Sequence, residues 1–209
     1  VSSRHPFGHP SGRRTPPVPL WHLLAALLGL LLAGAPASAT TYLQLTPQAM
    51  LARAGLVFVG TVADVRVTND GGRPWTHVRF NVDTALEGVP VDAQGRPTGP
   101  VELAFLGGAV PGGPALTVSG MPQFKVGEQV LVFAYEQSYA SPIVGFRQGL
   151  WQVTPAGLQD EDGTLLSVSG TGTLEAGGSG APLDSIVKAI RDALSGSVGT
   201  TGGTTGGTP

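Results

Sequence analysis

Cysteine is absent from this chain of 209 residues. The absence excludes disulfide staples, thiolate catalysis, cysteine-ligated metals and anchoring through a lipid-modified cysteine. Charge is scarce as well: Asp, Glu, Lys and Arg together make up 12 % of the residues, and aromatics only 6 %. Of four histidines, three (His5, His9 and His22) precede residue 40, so His77 is the single imidazole of the remainder. One histidine without a cysteine or second histidine beside it is a poor start for a metal site, and its place among Arg79 and other polar residues marks a solvated side chain. There is no G-x-S-x-G elbow around Ser119, Ser138 or Ser141, and no phosphate-binding lysine loop. Gly170-Thr171-Gly172 lacks the later glycine of a dinucleotide fingerprint.

What is present begins with a leader. Arg13-Arg14 form a positive patch, and Thr15-Pro16-Pro17-Val18-Pro19 a hinge. An apolar run follows from Leu20 to Ala33, and Ala37-Ser38-Ala39 puts small residues at the −3 and −1 positions. That order predicts a secretory signal at 1–39, cleaved after Ala39, with export by the general secretory route to the periplasm, envelope or medium. The apolar run is shorter than the ~20 residues that span a bilayer, so no stable membrane anchor is expected after cleavage. Cleavage leaves 170 residues with nine basic against 14 acidic side chains, a net charge of −5. Such a domain has no electrostatic reason to bind nucleic acid or anionic lipid.

The rest reads as one domain over 40–195 followed by a Gly/Thr-rich tail at 196–209, whose GTTGGTTGGTP end has nothing to bury. Thr46 is a natural N-cap, Pro47 suits the first helical position and Gly55 a stop, which predicts a short helix. Leu56 to Val67 opens as a continuous apolar run, as a strand buried on both faces does, and ends in alternation. Asn69-Asp70-Gly71-Gly72 is a hairpin turn. Thr76 to Leu86 alternates Val78, Phe80 and Val82 against His77, Arg79, Asn81 and Asp83. Further strands are expected at Val101–Leu106, Gln129–Tyr135, Ile143–Phe146 and Leu150–Val153. Between them the glycine-rich stretch from Gly107 to Gly120 is expected to hold a loop and one short strand. Ile186, Val187, Ile190 and Leu194 give a helix over Leu183–Leu194 that ends at Ser195-Gly196. The expected class is mainly β: a small antiparallel OB-like barrel with a short N-terminal and a C-terminal helix, with a β-sandwich as the alternative.

The residues Ala49-Met50-Leu51-Ala52-Arg53-Ala54 followed by Leu56-Val57-Phe58-Val59-Gly60-Thr61-Val62 resemble a common opening of uncharacterised bacterial exported proteins. Ala85-Leu86-Glu87-Gly88, the run from Phe124 to Phe133 and Val144 to Gly149 continue the pattern. The order of helix, A-x-L-V-F-V-G-x-V and meander is similar to netrin-like domains, which include the tissue inhibitors of metalloproteinases. The resemblance implies an OB-type barrel and a partner-binding module outside the cell. Those inhibitors reach the protease zinc with an N-terminal cysteine held by disulfides. Here the expected mature terminus is Thr40-Thr41-Tyr42, so inhibition does not carry over.

No catalytic residue, metal ligand or cofactor is nominated. Asp160-Glu161-Asp162-Gly163 lacks the alternating ligands of a calcium loop and reads as a turn between Leu158 and Leu165. Asp64, Asp83, Glu102 and Glu128 sit where strands expose acids. Gly107-Gly108 and Gly112-Gly113-Pro114 serve turns before they serve a binding edge. The candidate partner-binding residues are Arg147 and Gln148, which interrupt two apolar segments where a bulge would aim Arg147 outward, and the aromatics Phe124 and Trp151, both beside core-like runs. The expectation is a non-enzymatic module for a protein or cell-envelope partner. An exported hydrolase with an unrecognised site and an oligosaccharide-binding domain are the alternatives.

Overall fold

The computed structural model describes residues 43–137 and 139–198. The leader expected at 1–39, the three residues after it, Ser138 and the tail from 199 on lie outside the described residues. Among those described, no helix is long and apolar enough to cross a membrane.

The fold is mainly β. Helix α1 (Pro47–Leu51) is followed by β1 (Leu56–Asp70), β2 (Arg73–Glu87), β3 (Val101–Leu106), β4 (Gly108–Ala109), β5 (Ala115–Leu116) and β6 (Gln129–Ala134). Then come β7 (Leu150–Thr154), β8 (Gly157–Gln159), β9 (Leu166–Val168), β10 (Leu174–Ala176) and α2 (Leu183–Val198). Six strands form one antiparallel sheet in the order β3-β2-β1-β6-β7-β8, and β9–β10 and β4–β5 are separate hairpins. Thr46 caps α1 as its side chain predicts, accepting from Ala49 N at 3.2 Å. The β1–β2 turn is Gly71-Gly72 alone, with φ of +61° and +81°. Two successive positive φ values match the strand twist, and only glycine takes them freely.

Strand alternation builds two cores, one on each face of the sheet. Val57, Val59, Leu131 and Phe133 point to the face covered by α1, α2 and the β9–β10 hairpin, where Met50, Leu166, Ile186 and Ile190 meet them. Phe58, Val62, Val130 and Val132 point to the other face, with Val78, Phe80, Leu103 and Phe105. The start of β1 and residues 130–134 of β6 are therefore buried on both sides, which is why their sequences are unbroken apolar runs.

Register shifts between Val57 and Phe58, Val59 and Gly60, and Val62 and Asp64 bend the β1–β2 pair. The curl does not close into a barrel. The β3 edge meets the segment after β6 through one backbone bond, Leu106 N to Ala140 O at 2.7 Å. Two residues further on stands Pro142, which has no N–H and gives its carbonyl to Tyr135 N. The backbone at Pro142 is thus turned to β6, and among the described residues no further backbone bond spans the seam.

Three other expectations change. Ile143–Phe146 is not a strand: Ile143 makes a single bridge to Ala134, and Gly145 and Phe146 turn the chain at φ of +65° and +71°. The glycine-rich stretch from Gly107 to Gly120 carries two short strands, β4 and β5, paired as a hairpin, rather than one. Helix α2 passes through Ser195-Gly196 to Val198, since an interior glycine costs about 1 kcal/mol without stopping a helix docked on a core.

Candidate functional site

Three of the four nominated residues converge on one cavity, and the fourth does not. Phe124, half-buried, packs against the second core beside Phe105 and Phe80, at ring-centroid distances of 4.9 and 5.7 Å. Its ring covers the edge of the second core and does not line the cavity.

The chain from Ile143 to Gly149 is a compact turn docked on β6. Val144 N donates to Phe133 O, and Phe133 N donates to Gly149 O. Phe146 is the one non-glycine residue at positive φ among the described residues. A bulky side chain there stores roughly 1–3 kcal/mol of strain, and such strain concentrates where a neighbour must be aimed. The neighbour is Arg147. The turn, rather than the expected bulge, places its guanidinium beside the acidic run, with Nη1 donating to Glu161 Oε2 at 2.7 Å and Nη2 lying 3.8 Å from Asp162 Oδ1.

The acidic run is itself a turn. Asp160 Oδ1 accepts from Asp162 N and Thr164 N at 3.0 and 2.7 Å, which holds the backbone rather than an ion. Glu161 and Asp162 are left 66 % and 75 % exposed. Arg147 and this turn flank a cavity of about 250 Å³ whose floor is Leu45, Met50 and Trp151. Trp151 is 1 % exposed and belongs to the core as much as to the cavity. Its indole Nε1 is a buried donor without a protein acceptor. Such a group costs about 1–3 kcal/mol until an acceptor reaches it.

Gln148 has an internal role. Its Oε1 accepts from Leu45 N at 2.7 Å and its Nε2 donates to Leu43 O at 3.0 Å, so one side-chain amide imitates a strand and holds the segment before α1. Helix α1 itself is pinned by Gln48 Nε2, which donates to Leu174 O. Gln148→Leu is expected to lower stability by about 1–3 kcal/mol by leaving Leu45 N unpaired. Hydrogen exchange at the Leu45 amide reads the effect, and an unchanged rate contradicts the assignment.

A second polar cluster lies on the exposed face of β1, β2 and β3. His77 Nε2 is 2.9 Å from Thr68 Oγ1 and 3.3 Å from Asp70 Oδ2, and its Nδ1 is 3.1 Å from Glu102 Oε1. His77 is thus clamped rather than solvated, its side chain 18 % exposed. Sequence reasoning missed the cluster, although Asp70, His77 and Glu102 all sit on polar-face positions. Glu102 also accepts from Arg66 Nη2 at 2.7 Å, and that bond, with help from His77, holds its carboxyl below the usual glutamate range. A depressed carboxyl stabilises the fold above its ordinary pKa, and this contribution fades as pH falls through the lowered value. Hydroxyl, imidazole and carboxylate stand in the order of a hydrolase relay, but Thr68 Oγ1 donates to Asp70 Oδ2 at 2.9 Å, which directs its proton away from His77. Among the described residues no group of three or more His, Asp or Glu is arranged to hold a metal ion.

No protein-family model matches the chain, and no curated protein matches it.

Proposed function

We propose that this chain is an exported, non-enzymatic module that binds a protein or cell-envelope partner through the Arg147 cavity. The observation that carries the reading is the make-up of that cavity: an apolar floor, three carboxylates on one rim and one guanidinium. At about 250 Å³ it lies below the 300–1,000 Å³ of pockets that enclose a small molecule, and it suits one side chain or a small terminal group. Carboxylates outnumber guanidinium three to one, so the group that fits is a cation on an aliphatic stem, as in lysine. Its methylenes would cover Leu45, Met50 and Trp151 while the ammonium meets Glu161 and Asp162. The existing pairs to Arg147 are exposed and contribute about 0–1 kcal/mol, so exchange for a partner's cation costs little.

The test is site-specific photo-crosslinking from Gln44, an exposed residue on the cavity rim, and from Gln94, on the 88–100 loop away from it. One recurrent product from Gln44 alone, lost in Glu161→Lys/Asp162→Lys, is expected. The same products from both positions, or products indifferent to the charge reversal, contradict the reading.

A further inference from the structure

The unclosed seam between β3 and the chain after β6 carries a second inference, which does not depend on the Arg147 cavity. Leu106 directs its N–H away from β2 to Ala140 O, whereas Gly107 N returns to Pro74 O. In an antiparallel pair, residues two apart direct their backbone groups the same way. Ala104 and Glu102, opposite His77 and Arg79 in the β2 register, therefore turn N–H and C=O outward like Leu106. Neither finds a backbone partner there among the described residues. Their edge borders a trough of about 580 Å³, with Tyr135, Glu136 and Pro142 across from it.

We infer that this edge is a strand-addition site for an extended segment of a partner protein with basic and apolar residues in alternation. The alternation follows from the two sides of the strand. Residues level with Glu102 and Ala104 lie on the face carrying Asp70 and His77, where Glu102 is held by Arg66 and His77, and a lysine or arginine meets Asp70 or Glu136. The residues between them turn to the opposite face, level with Leu103 and Phe105, where the second core, already buried, leaves no polar partner and favours an apolar side chain. The Leu106–Ala140 bond limits the added strand to roughly four residues at about 3.3 Å each. A second copy is a poor occupant, because β3 paired with β3 sets Glu102 near its own equivalent, and like charges across strands repel. Main-chain bonds to Glu102 and Ala104 would supply affinity, and the alternate side chains specificity.

The experiment is amide hydrogen exchange of the full chain with and without an acetylated, amidated pentapeptide of alternating lysine and valine. Exchange at Ala104 and Glu102 is expected to slow by about tenfold or more at saturation. Glu136→Lys, a change at an exposed side chain, is expected to weaken binding by about tenfold. The same peptide N-methylated at alternate positions should give no protection. Binding that survives N-methylation, or leaves both amides exchanging freely, overturns the inference. So does protection of both amides in the protein alone, since the edge is then occupied by this chain or a second copy. Gln44 crosslinking reports on the other site, so failure of either reading leaves the other standing.

Discussion

Gly149→Ala is expected to remove the proposed binding site and about 2–3 kcal/mol of stability together. A Cβ on Gly149 would lie 2.6 Å from Phe133 O and 3.1 Å from Phe133 Cβ. Neither neighbour can yield cheaply: the oxygen accepts from Val144 N, and the same β6 residue donates to Gly149 O. The turn must lift from β6, and Arg147 moves with it, away from Glu161. Thermal unfolding should show a loss of roughly 5–10 °C for a domain of this size, and the Gln44 crosslink should disappear. A variant as stable as the parent, with its crosslink intact, would show that the turn is not docked as described.

Phe80→Ala is expected to cost about 3–5 kcal/mol. Phe80 has no exposure, and its ring meets Phe58 edge-on at 5.4 Å and Phe124 at 5.7 Å. Deletion leaves a void in the core that holds the curled sheet together, and it removes two aromatic contacts worth about 0.5–1.5 kcal/mol each beyond area burial. A fall in melting temperature of about 10 °C or more should follow. Because the two cores lie on opposite faces, the crosslink from Gln44 should persist at temperatures where the variant is folded. The pair of variants thus separates damage to the site from damage to the fold.

Much of this architecture is legible in the sequence, because the residues that position it act locally. Thr46-Pro47 starts α1, Gly71-Gly72 turns β1 into β2, and the alternation around Phe80 sorts one face from the other. The open seam lies between β3 and a segment more than thirty residues later in sequence, and only the tertiary arrangement brings the two together. Strands β8 to β10 are three residues each, too short for a period of two to register. Ile143 and Val144 read as strand because they are apolar, yet Gly145 and Phe146 adopt a backbone that no strand contains. Arg147 and Trp151 stand out as polar and aromatic breaks in apolar runs, and both reach the cavity. Gln148 carries the same signal and serves the fold instead, because its partners are backbone groups about a hundred residues away. Phe124 is an aromatic beside a core run, a pattern that interior and surface residues share.

The cavity claim is tested most directly by a ¹H–¹⁵N titration of the purified protein with Nα-acetyl-lysine amide, which is too short to pair with a strand. Saturable shifts of the Trp151 indole and of the Gly145 to Gly149 amides are predicted, with a Kd of about 1 mM for a ligand of this size. Uncharged Nα-acetyl-norleucine amide should produce none. Shifts confined to other surfaces, or equal responses to the two compounds, would contradict the account.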